Sequence, residues 1–169
     1  ALTLDMSDAG TAIFNHDIKL ADNGKAFFGG GTDLSIYHDG SNSYILAQTT
    51  GDLIIQNSVD DGDIIFKSDD GSGGTEVYFR LDGSASSGNP YTVWPDNSIA
   101  AWGTGADLRI EHTGSTASIF NTTGHLQIIN YADDSDILFK SDDGSGGVTE
   151  YFRLDGGNVN VVASKNFQF

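Results

Sequence analysis

One block of sequence occurs twice in this chain, and this duplication constrains the fold more than any single motif. Residues 22–83 recur as residues 96–156, and residues 66–74 return unchanged as residues 139–147. Repetition at a nearly fixed spacing is typical of one supersecondary unit stacked along an axis. We therefore expect two modules of similar structure, joined in tandem.

The repeats divide the sequence into five predicted parts. These are a partial preceding unit (1–21), a first β repeat (22–83), a linker (84–95), a second β repeat (96–156) and closing strands (157–169), the last placed near 158–162 and 167–169. The flanking pieces predict that the sequence is a segment of a longer array.

Apolar and polar residues alternate in short runs, and no stretch shows sustained helical periodicity. Clusters of Gly, Asp, Ser, Asn and Thr separate these runs, as in β proteins with many turns. The strands predicted in the first repeat are 25–28, 34–38, 43–47, 52–57, 63–68 and 76–81. Those predicted in the second repeat are 99–102, 108–112, 117–121, 125–130, 136–141 and 149–154.

Comparison of the two copies selects a register for the first hairpin. A turn at Asp39-Gly40 is the commoner signal, but Asp39 is not kept in the second copy, whereas Gly-Ser is. A type II′ turn at Gly40-Ser41 places Ile36 opposite Ile45. In the later hairpin of the repeat we expect two apolar pairs to share one face. These are Ile64 and Phe66 on one strand, Phe79 and Leu81 on the other.

Composition narrows the classes of partner. The 38% hydrophobic and 11% aromatic content is too high for a disordered polar tract. The net charge of −16 repels phosphates, so we predict no binding to nucleic acid. No apolar run approaches the roughly 18 residues of a membrane helix, and we predict no membrane insertion. The absence of cysteine excludes disulfides.

Each predicted module is thin, because runs of such short strands bury little apolar surface by themselves. Ordering the backbone costs about 1 kcal/mol or more per residue, which burial at roughly 25 cal/mol per Å² has to offset. Neighbouring modules or other chains should supply the missing contacts. This is the reason for predicting a homo-oligomer.

Two acidic stretches, residues 60–63 and 69–74, look superficially like calcium loops. Neither matches the ligand spacing of an EF-hand or of a glycine-rich calcium repeat, so we interpret both as solvated turns. His38 and His112 occupy equivalent strand positions, on what we expect to be an inner face. We interpret them as packed, hydrogen-bonded histidines. Convergence on a metal at a three-fold axis is the alternative.

Catalytic motifs are missing from the sequence. There is no Gly-x-Ser-x-Gly elbow and no phosphate loop, and carboxylate pairs for glycoside hydrolysis cannot be identified from spacing alone. We therefore predict no enzyme and assign no catalytic, cofactor-binding or metal-binding residue. Five aromatic residues either form a sugar-stacking surface or fill β cores. They are Tyr37, Tyr44, Tyr91, Trp94 and Trp102, and core filling is favoured for Trp102.

Residues 33–45, with the sequence Asp-Leu-Ser-Ile-Tyr-His-Asp-Gly-Ser-Asn-Ser-Tyr-Ile, resemble a repeat module of marine bacteriophage tail-fibre and other virion proteins, including those of cyanophages. Residues 22–29 resemble the usual lead-in of that module, and residues 51–55 its next strand. The match covers most of the first repeat and, more loosely, the second.

The second copy departs from the module at Glu111, Thr113 and Thr116. The resemblance transfers no catalytic residues. It implies an elongated, trimeric β fibre on a virus particle, with host-surface binding at a distal part. The partners that it implies are sister chains, other virion proteins and a host-surface glycan, and the implied location is the virion or the extracellular space.

The predicted fold is therefore all-β, with two tandem repeats of short antiparallel strands in a trimeric β-prism or β-helix-like fibre. A single-chain β-solenoid and a β-sandwich are the alternatives. The predicted function is a structural segment of a phage tail fibre or appendage that supports host attachment. The alternatives are a polysaccharide-degrading enzyme of the tailspike kind and a bacterial extracellular adhesin module with calcium-dependent repeats.

Overall fold

A computed structural model describes residues 14–85 and 88–166 of the chain. These residues form strands, turns and irregular segments, with no helix among them, and the prediction of an all-β protein is confirmed. The described part accordingly has no helix that is long and apolar enough to cross a membrane. The chain divides into two units, Ala1–Val59 and Asp60–Phe169.

Short strands separated by glycine-rich turns account for the ordered backbone. Within the described ranges they are β1 (Lys25–Phe28), β2 (Leu34–His38), β3 (Ser43–Ala47), β4 (Ile64–Asp69), β5 (Thr75–Asp82), β6 (Tyr91–Val93), β7 (Ile99–Trp102), β8 (Leu108–His112), β9 (Ala117–Asn121), β10 (Ile137–Asp142), β11 (Val148–Asp155) and β12 (Asn160–Ala163).

The strands form four antiparallel sheets of three strands each. The first sheet, β1-β2-β3, belongs to the first unit. The second unit holds the second sheet (β4-β5-β6), the third (β7-β8-β9) and the fourth (β10-β11-β12). The third sheet has the strand order and register of the first, and the fourth those of the second. The duplicated sequence therefore produces duplicated local structure.

The register predicted for the first hairpin is confirmed. Ile36 lies opposite Ile45 in the first sheet, and Ile110 lies opposite Ile119 in the third. Gly40 has a φ of 98° and the residue after it does not have a positive φ, as a type II′ turn requires. This conformation is why glycine stands first in the turn.

The pairing predicted for the later hairpin is also confirmed. Ile64 lies opposite Leu81, and Phe66 lies opposite Phe79, so the four side chains share one face of the second sheet. The two phenyl rings are stacked, with centroids 4.5 Å apart and planes 13° apart. Stacked pairs of this kind add to the stability that apolar burial provides.

A β-bulge that was not predicted from the sequence follows these pairs. The register shifts after Phe66, so that Lys67 lies opposite Val77 and Tyr78 is the extra residue. The hydroxyl of Tyr78 donates a hydrogen bond of 2.7 Å to the main-chain carbonyl of Asp69, beside the acidic loop. The fourth sheet has the same bulge and the same tyrosine contact. The bulge thus redirects a side chain to hold the loop.

Two of the predicted strands are wrong. Residues 52–57 and 125–130 form no strand, because no strand in the described part of the chain pairs with them. β6 lies within the range assigned to the linker, and β12 matches the closing strand predicted at 158–162 with a small shift. The strand predicted at 167–169 and most of the partial unit at 1–21 lie outside the described residues.

The apolar side chains are not covered within this chain. Across the described residues no hydrophobic side chain is buried, and Ser35 is the one buried residue. The accessible surface of the chain is 13881 Å². A folded monomer of 17.9 kDa would expose roughly 8,000 Å². The strands place apolar side chains in regular rows, and these side chains remain exposed to solvent.

Candidate functional site

An apolar surface that repeats with the modules is the main candidate site. Ile45 in the first sheet is 60% exposed, and its counterpart Ile119 in the third sheet is 59% exposed. Their cross-strand partners, Ile36 and Ile110, are exposed as well. Exposed apolar residues that recur at equivalent positions are a candidate surface for contact with another macromolecule.

Two unpaired segments, residues 52–56 in the first unit and 125–129 in the second, are a further candidate feature. The chain makes no turn or bend in either segment, and every residue in both is exposed. The main chain of both segments makes no hydrogen bond to any described residue. Exposed main-chain N–H and C=O groups next to apolar side chains are a template for strand addition.

The acidic loop at residues 69–74 closes on itself. One carboxylate oxygen of Asp70 accepts hydrogen bonds from the Ser72 amide (2.7 Å), the Ser72 hydroxyl (2.8 Å) and the Gly74 amide (3.1 Å). These hydrogen bonds lower the pKa of Asp70 below its usual value, and the bond from the Ser72 hydroxyl has the largest effect. Asp143 repeats the arrangement in the second module. The Asp70 carboxylate therefore accepts hydrogen bonds from its own loop. This agrees with the interpretation of the loop as a solvated turn.

The two equivalent histidines have different partners. Nδ1 of His38 lies 3.1 Å from the hydroxyl of Ser43, whereas Nδ1 of His112 lies 2.8 Å from a carboxylate oxygen of Asp96. Both histidines therefore have the hydrogen-bond contact that was predicted for them, and the partner of His112 is acidic. Both histidines are exposed, so the inner face predicted for them is not covered within this chain. Nowhere in residues 14–85 and 88–166 do three or more His, Asp or Glu side chains cluster to hold a metal.

The aromatic residues considered for sugar stacking mostly stack on protein groups. The rings of Tyr37 and Tyr44 lie 4.8 Å apart at 15°, and the ammonium of Lys25 lies 4.3 Å from the Tyr37 centroid. Trp94 stacks on Phe79, with centroids 5.7 Å apart. These contacts occupy ring faces that a sugar would need.

Trp102 occupies the place of Phe28 in the repeat, as predicted, since both end the first strand of their sheet opposite a leucine. Half of its side chain is nevertheless exposed, and so is half of Phe28. The core that these residues were expected to fill is not completed within this chain. They extend the repeated apolar surface instead.

An arginine and its acidic neighbours lie beside the second sheet. Arg80 donates to Asp82 from Nη2 (2.8 Å) and from Nε (2.9 Å), and its Nε also lies 3.4 Å from Asp63. The hydrogen bonds from Arg80, followed by those from the turn amides, lower the pKa of Asp82 to about 2. Arg153 has a similar set of acidic neighbours in the second module with different distances: its Nε lies 2.9 Å from Asp136, its Nη1 donates to Glu150 (3.1 Å), and its Nη2 lies 3.4 Å from Asp155. These repeated ion pairs tie strand ends to turns.

One cleft in the second unit brings carboxylates and an aromatic ring together. Its volume is about 620 Å³, and its lining includes Asp70, Glu76, Tyr78 and Asp96. Asp70 is held in its ionised form by the loop hydrogen bonds, which is opposite to the raised pKa that a general acid needs. The cleft thus offers hydrogen-bond acceptors beside the Tyr78 ring, which suits contact with a polar, hydroxylated ligand.

Comparisons with protein-family models, with curated proteins and with solved structures found no match to this chain.

Proposed function

We propose that this chain is a structural segment of an elongated β fibre on a virion or other extracellular appendage, assembled from three copies and supporting attachment to a host surface. The single observation that carries the proposal is the lack of any buried hydrophobic residue in the described part of a chain that still forms four regular sheets. Sheets whose apolar rows are open need a partner in order to persist in water.

The size of the exposed surface fits an obligate assembly. The chain exposes on the order of 6,000 Å² more than a folded monomer of its mass would. In a trimer each chain meets two neighbours, so each contact would cover about 3,000 Å² of each chain, or about 6,000 Å² counted over both. Interfaces of obligate oligomers are apolar and bury roughly 2,000–5,000 Å² or more in total. The exposed surface is therefore at least as large as the area that permanent partners cover.

The trimeric state and the virion location rest on the resemblance of residues 33–45 to the bacteriophage module. A closed rotational assembly is also the commonest form of homo-oligomer. Such an assembly would cover the exposed edges of the sheets, which in a single chain remain available for aggregation.

Light scattering coupled to size-exclusion chromatography tests the assembly. We expect a particle of three times 17.9 kDa, about 54 kDa. We also expect an unfolding midpoint that rises with protein concentration, because association stabilises the folded chain by mass action. A folded monomer at micromolar concentration, with a midpoint independent of concentration, would refute the proposal.

A polysaccharide-directed activity is the second candidate, and the cleft beside Tyr78 favours it. Incubation with glycans of a host surface separates the two functions. Release of oligosaccharide, abolished by Glu76→Gln, supports the enzyme. Binding with intact polymer supports an attachment role for the fibre.

A further inference from the structure

The two unpaired segments differ in composition from the acidic loops around them. Residues 53–56 read Leu-Ile-Ile-Gln and residues 126–129 read Leu-Gln-Ile-Ile, with no charged side chain in either. The chain as a whole carries a net charge of −16. A second chain of the same charge is repelled by the acidic turns, and these uncharged stretches are where it can approach.

Alignment of the two segments shows which strand face is apolar in both copies. Leu53 corresponds to Leu126 and Ile55 corresponds to Ile128, so the positions two residues apart are apolar in both copies. Ile54 corresponds to Gln127, so the residue between them does not need to be apolar. In a strand, alternate side chains lie on the same face. The face that carries Leu53 and Ile55 in one segment, and Leu126 and Ile128 in the other, is therefore the one that requires a partner.

Exposure of that face is the same in both copies. Ile55 is 59% exposed and Ile128 is 62% exposed. A partner has to offer matching apolar surface to each of the two segments. A second copy of this chain meets that requirement, because it carries the same two segments.

Strand pairing is the form of contact that the backbone favours. A partner that covered the apolar face would also remove water from the main-chain N–H and C=O groups of both segments. Such groups are destabilising when they are buried without hydrogen-bond partners. Another extended segment satisfies them and packs the side chains in the same step.

We infer that residues 52–56 and 125–129 become β-strands in the assembled protein by pairing their backbones with other copies of this chain, with Leu53, Ile55, Leu126 and Ile128 facing inward. This inference rests on the proposed homo-oligomer and adds to it the segments that make the contact. It also explains why residues 52–56 and 125–129 have a strand pattern but pair with no strand in the described part of the chain.

Amide hydrogen exchange on the assembled full-length chain tests the inference. We expect amides of both segments to exchange at least about a hundredfold more slowly than those of the exposed bend at residues 49–51, which donate no hydrogen bond to a described residue, because only hydrogen-bonded amides are protected. An oligomer whose segment amides exchange as fast as that bend would overturn the inference and leave the proposed oligomer intact. A monomer would overturn both.

Matched substitutions in one segment provide a second readout. Ile55→Gln places an amide on the face that faces inward, and we expect the apparent dissociation constant of the assembly to rise about tenfold or more. Ile54→Gln places the same side chain one residue away, at a position where the second copy already has glutamine. We expect this control to change assembly less than threefold. Equal effects of the two substitutions would overturn the assignment of faces.

Discussion

Removal of one ring from the second sheet should measure how much of the stability of a module comes from its aromatic stack. Trp94 covers one side of Phe79, and Phe66 covers the other. The fourth sheet has the two phenyl rings, at 4.3 Å and 8°, but Ala163 stands opposite Phe152 where the second sheet has the tryptophan. The chain therefore contains a three-ring stack and a two-ring stack in the same setting.

The expected cost of Trp94→Ala follows from its surroundings. Trp94 is 46% exposed, so about 100 Å² of its surface is covered. At roughly 25 cal/mol per Å² this burial contributes about 2.5 kcal/mol. The stacking contact with Phe79 adds about 1 kcal/mol. We expect Trp94→Ala to lower the free energy of unfolding by about 3.5 kcal/mol, and Ala163→Trp to raise it by about 1 kcal/mol through the added stacking contact.

Urea denaturation followed by far-ultraviolet circular dichroism is the assay, performed at one protein concentration because assembly adds a concentration-dependent contribution. A double-mutant cycle combines Trp94→Ala with Phe79→Leu and isolates the contact between the rings, which we expect to be about 1 kcal/mol. A coupling below about 0.3 kcal/mol, together with no gain from Ala163→Trp, would refute the argument that the stack stabilises the module.

Three further predictions concern the turns. Asp82 has a folded pKa of about 2, lowered first by Arg80, so its contribution to stability is present above about pH 4, the unfolded pKa, and is lost as the pH falls towards 2. Chemical denaturation midpoints should fall over this range for the native chain and fall less for Asp82→Asn, and equal slopes would contradict the assignment. Gly40→Ala should cost about 1–2 kcal/mol, because φ is 98° there and the nearest atom to an added Cβ is 3.6 Å away, so backbone strain alone acts. Ser41→Ala is the control, with an expected change within about 0.5 kcal/mol in the same denaturation assay, and equal losses would show that φ is not the cause. Because the loop hydrogen bonds already occupy one carboxylate oxygen of Asp70, calcium and a chelator should leave the thermal midpoint unchanged, and a calcium-dependent rise of several degrees would instead favour the adhesin alternative.

The sequence determined most of the local structure of this protein. The alternation of apolar residues placed the strands of each repeat, and the two copies together fixed the turn at Gly40-Ser41 and the opposition of Ile36 and Ile45. The reason is that a hairpin is a local structure, whose register depends on the turn and on side chains a few residues apart. Sequence comparison of two internal copies therefore carries nearly all the information that such a hairpin needs.

The bulge at Tyr78 and the stacking of Trp94 were not predicted from sequence. The bulge depends on how β4 and β5 fit together beyond Phe66, and the run Tyr91-Thr92-Val93 was included in the linker. Its aromatic and β-branched residues are the signal that would have identified a strand there.

Only the tertiary structure decided which strand patterns find partners and which apolar faces are covered. Residues 53–55 are as apolar as the true strands, yet they pair with no described strand, because a strand exists only where a second backbone accepts its hydrogen bonds. Periodicity shows which face of a strand prefers to leave water. It does not show whether the covering surface belongs to the same chain. That depends on the three-dimensional arrangement, which here leaves the face open.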